Sequence, residues 1–458
     1  MTHRIASALV LFFVLLPQVA SSRPRAVHGD PLAALPAGRP GRLVFGVMGS
    51  AAPEATIPPE VRGRLEKLGA AIARRGDVVL TGACPGMPQV TARAAKHAGG
   101  FTVGISPAKS LRDHTQRFKS PTEAMDVIKM TGAGGGMGLI ARERDNIAYS
   151  DILVFAGGRS GTLGELLFAM QERKVIAILE DSTGVSEKAR REILPFIGRG
   201  KGRIVTDRDP DRLIAKAVKA SARLKQTETV AEGKSGLAGL GRPLRLPTQQ
   251  NALDADALRS THNLYTFFGD ARRMSARDRG KVEKLVDELS RTRTDGRDPL
   301  LVVPTRPGLG SRVARAAHAR GVKTFGISPA GSAEEHRRSG QFLRGLDGLQ
   351  LSGEGAQGIG KLAAYQHAIK KSDVVFVAGG DHETLGGTIF ALYEPTVVAV
   401  LETGGMSGKL REHILATFDK AHPAKVIYDR DPVRLVQRAT AEASALRQAQ
   451  RNEYVRGE

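Results

Sequence analysis

Short apolar runs alternate with amphipathic stretches along most of the chain. Leu43 to Val47 is apolar throughout and ends at Gly49-Ser50. Val61 to Arg74 carries apolar residues at helical spacing. Val78 to Leu80 feeds the turn Thr81-Gly82-Ala83-Cys84-Pro85-Gly86, and Gln89 to His97 is again helical. Phe101 to Ile105 reads as a strand, Ile140 to Tyr149 as a helix and Ile152 to Phe155 as a buried strand. A glycine-rich loop and a helix follow from Gly157, with further strands at Val175 to Leu179 and Arg203 to Val205. Strands apolar on both faces, alternating with helices, predict a parallel sheet covered on both sides. The expected class is α/β, Rossmann-like and doubly wound. Such sheets bind ligands at the carboxyl ends of their strands, where the strand order reverses.

The pattern occurs twice. Gly104-Ile105-Ser106-Pro107-Ala108 recurs as Gly326-Ile327-Ser328-Pro329-Ala330, at an offset of 222 residues. Ser150-Asp151 recurs as Ser372-Asp373, and Asp207-Arg208-Asp209-Pro210 as Asp429-Arg430-Asp431-Pro432, in the same register. This predicts two tandem domains, at 41–222 and 261–445. Between them, at 223–260, a stretch rich in Gly, Pro, Gln, Ser and Thr from about Lys225 to Asp256 reads as a linker.

Residues 1–22 have another character. Arg4 precedes an apolar run from Ile5 to Leu16, then Pro17 and the small residues Ala20, Ser21 and Ser22. That is the layout of a secretory signal peptide, and it predicts a mature N-terminus near Arg23 and an exported, periplasmic or secreted, protein. The alternatives are an uncleaved anchor or a misassigned start, and with the latter a cytoplasmic protein. The apolar run is too short to cross a bilayer comfortably, and no stable membrane span is expected.

The formal net charge is +21. It either draws anions to the surface or is spread over solvated helix faces, and no compact basic block decides between these. The chain has no Trp, which argues against base-stacking platforms, so no specific nucleic-acid partner is expected. Cys84 is the single cysteine, so no intrachain disulfide and no cysteine-based metal cluster can form.

The strongest candidate site is Gly157-Gly158-Arg159-Ser160-Gly161-Thr162-Leu163-Gly164-Glu165, which leaves a buried strand and opens a helix. Backbone N–H groups of Gly158, Arg159, Ser160, Gly161 and Thr162, with the helix dipole, suit a phosphate. The same letters also read as a capping box, with Thr162 as N-cap and Glu165 at the third position. Arg142, Asn146 and Tyr149 share a face of the preceding helix, and Arg142 can grip a phosphate with two parallel bonds.

With these residues in place, the sequence resembles the Lonely Guy family, once misnamed lysine decarboxylases, and related Rossmann-like nucleotide-binding and sensing proteins. The family motif Pro-Gly-Gly-x-Gly-Thr-x-x-Glu finds its Gly-Thr-x-x-Glu part at Gly161, Thr162 and Glu165, and the family's upstream Arg at Arg142. Val44 to Ser50 resembles its first strand and Gly-Ser turn, which places Gly49 and Ser50 among the binding groups. The resemblance implies hydrolysis of a nucleoside 5′-monophosphate to free base and ribose 5-phosphate, with Arg142 and Glu165 catalytic and neither metal nor cofactor needed. It also implies pairing of domains, here as an intrachain pseudo-dimer that either stands alone or assembles further. The motif departs from the family at Gly157, where the family has Pro, and at Arg159, where it has Gly; Arg159 either narrows the phosphate cradle or adds a ligand to it. The family's basic pair becomes Arg142-Glu143. At the same offset, Arg142 maps to Ala364, Gly161 to Glu383 and Glu165 to Gly387 in the second copy, which keeps only Thr384. Three readings stay open: a nucleotide N-glycosidic hydrolase, a non-catalytic nucleotide or molybdenum-cofactor binding or sensing protein, and a structural paralogue.

Overall fold

The structure is a computed structural model and describes residues 24–35, 42–132, 137–172, 174–194, 203–232, 258, 260–272, 274–305, 308–330, 332–339, 344–351, 368–370, 372–380, 382–410 and 423–456. The signal-peptide-like segment and most of the linker-like stretch lie outside them.

The first domain runs β1 (Arg25–Val27), β2 (Val44–Gly49), α1 (Pro59–Arg74), β3 (Val78–Thr81), α2 (Met87–His97), β4 (Phe101–Ser106), α3 (Leu111–Gln116), β5 (Val127–Met130), α4 (Met137–Tyr149), β6 (Ile152–Ala156), α5 (Ser160–Gln171), β7 (Val175–Leu179), α6 (Gly184–Lys188), β8 (Arg203–Asp207) and α7 (Pro210–Glu232). The second runs β9 (His262–Asp270), α8 (Ala276–Arg291), β10 (Asp298–Pro304), α9 (Leu309–His318), β11 (Thr324–Ser328), α10 (Ala333–Arg338), β12 (Gly348–Leu351), β13 (Val374–Gly379), α11 (His382–Ala391), β14 (Val397–Leu401), β15 (Lys425–Asp429) and α12 (Pro432–Arg456). The sheet orders are β1-β5-β4-β3-β2-β6-β7-β8 and β12-β11-β10-β9-β13-β14-β15, and neighbouring strands pair in parallel. Apart from β1, which extends the first sheet at its β5 edge, the two orders are the same. The fold class expected from sequence is the one present: two tandem Rossmann-like α/β domains. The order reverses between β2 and β6, and between β9 and β13. α7 continues to Glu232, into the stretch whose composition reads as linker.

The repeated motifs prove to be scaffold. Asp151 accepts the Val44 N–H at 3.0 Å, and Asp373 accepts the Leu264 N–H at 2.8 Å, so each pins the start of its central strand. Ser150 and Ser372 donate to the carbonyls of Asn146 and Ala368, one helical turn earlier. Ser106 and Ser328 each hold a buried histidine, His114 and His336, at 2.8 Å. Asp207 and Asp429 turn the chain into α7 and α12 by accepting the N–H two residues on, at 2.9 Å each.

The domains touch through equivalent helices. The Phe168 ring of α5 lies 4.2 Å, centroid to centroid, from the Phe390 ring of α11. The contact is reciprocal: Gly164 faces Ile389 and Phe390, and Gly386 faces Leu167 and Phe168. Apolar residues of both helices belong to one continuous core with the facing strands of both sheets.

Candidate functional site

At the reversal between β2 and β6, Gly49, the Gly82 turn after β3, α4 and the start of α5 surround a cavity of about 440 Å³. That volume suits a small-molecule ligand. The α5 entrance is shaped by glycine. Gly158 has a φ of +90°, and a Cβ there would lie 2.3 Å from Thr162 Oγ1. No other residue fits without moving the loop. Arg159, not Thr162, is the N-cap, and no side-chain cap bond forms there. The capping-box reading therefore fails: Thr162 is inside the first turn, where its hydroxyl donates to the Gly49 carbonyl at 3.4 Å. Glu165 lies a turn further on and is released for another role.

That role is set by α4. Only Ser150 and Asp151 separate α4 from β6, so helix and strand run antiparallel. Backing up α4 by about 1.5 Å per residue while β6 advances by about 3.3 Å per residue brings the middle of α4 beside the carboxyl end of β6, where α5 begins. Asn146 Nδ2 donates to Glu165 Oε1 at 3.1 Å. One turn earlier, the Arg142 guanidinium packs on the Gly82 backbone, whose Cβ position lies 3.4 Å from Arg142 Nε and Cζ. Glu143 Oε1 stands 3.8 Å from Arg142 Nη2. Tyr149, the third residue of that face, points elsewhere: Lys129 Nζ donates to its hydroxyl at 2.9 Å and pairs with Asp145 at 2.8 Å, which ties α4 to β5.

Charge in this cluster is poorly solvated. Burial pushes the Glu143 carboxyl well above its ordinary value; the nearby Glu165 adds to this, and Arg142 only partly offsets it. Burial also raises Glu165, against the pull of Arg142 and the Asn146 hydrogen bond. Burial works against the charge on Arg142, yet Cys84, Glu165, Glu143 and Tyr393 together hold its guanidinium above its usual range. Two carboxyls and one guanidinium thus share protons and charge in one dry site. Three buried polar atoms there have no hydrogen-bond partner among the described residues: Arg142 Nε, Glu143 Oε2 and Asn146 Oδ1. Buried groups left in this way are costly, and a bound polar molecule would satisfy them.

Of the residues expected from sequence, Gly49, Ser50, Arg142, Arg159, Gly161, Thr162 and Glu165 line the cavity. Asn146 acts on it through Glu165, and Gly158 shapes its loop. The Ser160 side chain lies outside those described. Sequence reasoning does not nominate Gly82 or Cys84, although both sit in a turn it predicts, nor Glu143, which it marks only as a departure from the family motif. It also misses Tyr393, which lines the cavity from the second domain, just past α11. Nothing in a reading confined to one domain signals that residue. Among the described residues, no group of three or more His, Cys, Asp or Glu is placed to hold a metal ion, and no helix is long and apolar enough to cross a membrane.

The second domain keeps the loop and loses the chemistry. Gly380 repeats the backbone of Gly158, with φ of +96° and its Cβ position 2.3 Å from Thr384 Oγ1. Where Glu165 stands in the first domain, the second has Gly387, and the Phe268 ring sits 3.4 Å from its Cβ position. Phe268 is buried and belongs to the core. Ala364 and the Glu383 side chain lie outside those described.

The model of the SLOG cluster4 family matches residues 42–214. An uncharacterised protein of Archaeoglobus fulgidus is 31% identical over 114 residues, which are 25% of this chain and 67% of that protein. Among solved structures, the molybdenum cofactor carrier protein of Chlamydomonas reinhardtii matches 40% of this chain and 99% of its own, at 25% identity and a TM-score of 0.31. The molybdenum cofactor binding protein of Rippkaea orientalis matches 39% of this chain and 96% of its own, at 26% identity and a TM-score of 0.31. By its first domain, which carries both the cavity and the matched residues, this chain belongs to the SLOG cluster4 family.

Proposed function

We propose that the first domain binds a nucleoside 5′-monophosphate and hydrolyses its N-glycosidic bond. The observation that carries this reading is the cluster of Arg142, Glu143, Asn146 and Glu165, with three buried polar atoms lacking partners beside a cavity of nucleotide size. The phosphate lies on the N-terminus of α5, against Gly158 to Thr162 and within reach of Arg142. The ribose hydroxyls face Glu165 and Asn146. In the reaction the C1′–N bond breaks and its electron pair leaves with the base, which takes up a proton. Water adds to C1′ through its oxygen and gives up a proton. Glu165, ionised, stabilises the oxocarbenium-like charge, receives that proton and returns it to the solvent, from which the base draws its own, so that no proton is left over. Free base and ribose 5-phosphate leave. The second domain, degenerate at its own loop, serves as a pseudo-dimer partner that closes the first.

The test is release of free base from a panel of nucleoside monophosphates by the native protein, Glu165→Gln and Arg142→Ala. Glu165 acts on charge that develops during the reaction, so Glu165→Gln should lower kcat by roughly 100-fold or more while binding stays close to native. Arg142 also faces the ground-state phosphate, so Arg142→Ala should weaken binding by at least about tenfold. Tight binding by the native protein, with no more base released than by Glu165→Gln, would replace this reading with a binding or sensing role. The placement of Tyr393 over the cavity favours that second reading to this extent: a partly covered site suits ligand retention as well as turnover.

A further inference from the structure

The first-domain cavity is walled on one side by the second domain. Tyr393 lies in the turn after α11, half-buried, and its N–H donates to the Phe390 carbonyl at 3.1 Å. Phe390 is the ring locked against Phe168, and the Phe390 and Tyr393 rings are 6.5 Å apart. The interdomain helix contact therefore sets the position of Tyr393. Its hydroxyl comes over the phosphate-type loop: a Cβ built on Gly161 would lie 3.1 Å from Tyr393 Oη and 3.4 Å from Glu143 Oε1. Gly161 is thus open on the side from which the phenol approaches. Tyr393 lines the cavity together with Arg142, Arg159 and Thr162.

We propose that Tyr393 is a ligand-recognition residue of the first domain's site, its hydroxyl donating to a phosphate oxygen of the nucleotide seated on Gly158 to Thr162. The inference rests on the nucleotide reading given above and extends it to the second domain. A tyrosine suits this place because its ring packs against the apolar core while its hydroxyl faces the polar groups of the cavity. Gly161 admits the hydroxyl to the loop, and any side chain there would displace it. The arrangement serves one domain only. The position equivalent to Tyr393 in the first domain is Gln171, and the second domain has Gly387, against the Phe268 ring, where the first has the Glu165 carboxylate. The second domain has thus given up a site and become part of its neighbour's. A purely apolar wall would need the ring but not the hydroxyl, and this separates the two roles.

The experiment is calorimetry on the full chain with AMP, and with ribose 5-phosphate, which shares the phosphate and has no glycosidic base. The proteins are the native form, Tyr393→Phe, Tyr393→Ala and Arg142→Ala. Tyr393→Phe should weaken both ligands by a similar factor of about tenfold, with an unchanged melting temperature, and Tyr393→Ala should weaken them at least as much. If Tyr393→Phe binds both as the native protein does, while Arg142→Ala loses them, the nucleotide reading stands and Tyr393 is only a wall; this inference is then overturned. Loss of binding in Tyr393→Ala but not in Tyr393→Phe overturns it in the same way. Weakening of AMP alone would place the hydroxyl on the base and overturn the phosphate contact. If the native protein binds neither ligand, the nucleotide reading fails and this inference goes with it.

Discussion

The two domains are matched in strand order, in their Ser-Asp and Asp-Arg-Asp-Pro pins and in the backbone of their glycine loops, yet they differ where a ligand would sit. In the first, the space above the central strand holds Glu165, steadied by Asn146 and Arg142. In the second, Gly387 and the Phe268 ring fill the corresponding space with carbon. The scaffold and the site are therefore separable. The pins serve folding in both halves, whereas the polar cluster of Arg142, Asn146 and Glu165 in the first half has Ala364, Ala368 and Gly387 at the equivalent positions of the second. A carboxylate there is tolerable because partners share its burial, and where those partners are gone a phenyl ring replaces it.

Putting the carboxylate back should have the largest effect on this contrast. Gly387→Glu places a buried acid against Phe268, without the Arg142 and Asn146 equivalents, and should destabilise the second domain by about 3–5 kcal/mol. Urea unfolding measures it. Adding Phe268→Met, which restores the side chain type of Met48, should recover part of the loss; an unchanged midpoint in Gly387→Glu would mean that the phenyl-filled space is not closed. Next come the shared rings. Phe168→Ala and Phe390→Ala should each cost about 3–5 kcal/mol. Because each removes the other's partner, the double variant should cost less than the sum. Strict additivity would deny the reciprocal contact.

The smallest effect is the pH dependence that Glu143 gives the first domain. Burial raises Glu143 in the folded state above the ordinary 4.5. The folded protein then holds this proton to higher pH than the unfolded chain does. The stability so gained is complete below about 4.5 and is lost as the pH rises through the folded-state value. Glu143→Gln removes this carboxyl's part of the dependence and leaves that of Glu165, so its melting temperature should exceed the native one by a few degrees at pH 8, with the gap narrowing toward pH 4.5. A constant gap across that range would show that Glu143 does not titrate in the folded domain.

Much of this was legible in the residues. Periodicity placed the strands, and the repeat gave two domains because identical pins recur at one offset. The strands β1 and β5, of three and four residues, are not among those the pattern predicts, because runs so short carry little measurable period. The meeting of Arg142 with Glu165 was assigned by resemblance, although spacing already contained it: a two-residue turn between α4 and β6 leaves an antiparallel arrangement as the only compact one. Glu143 was seen as a lost cation, not as a second acid, because neighbours on a helix point about 100° apart and sequence does not say which neighbour faces inward. Tyr393 was out of reach, since what brings it to the cavity is the contact of two helices more than two hundred residues apart.

The reciprocal contact of α5 and α11 is made within one chain. Two separate subunits would complete a shared site only as far as their concentration allowed, and dilution would open it. Here the partner surface is carried on the same chain, so its local concentration does not depend on how much protein is present. Closure of the cavity is then first order and independent of how much protein is present. The same tether fixes stoichiometry: each chain joins one half that carries Glu165 to one half that carries Gly387.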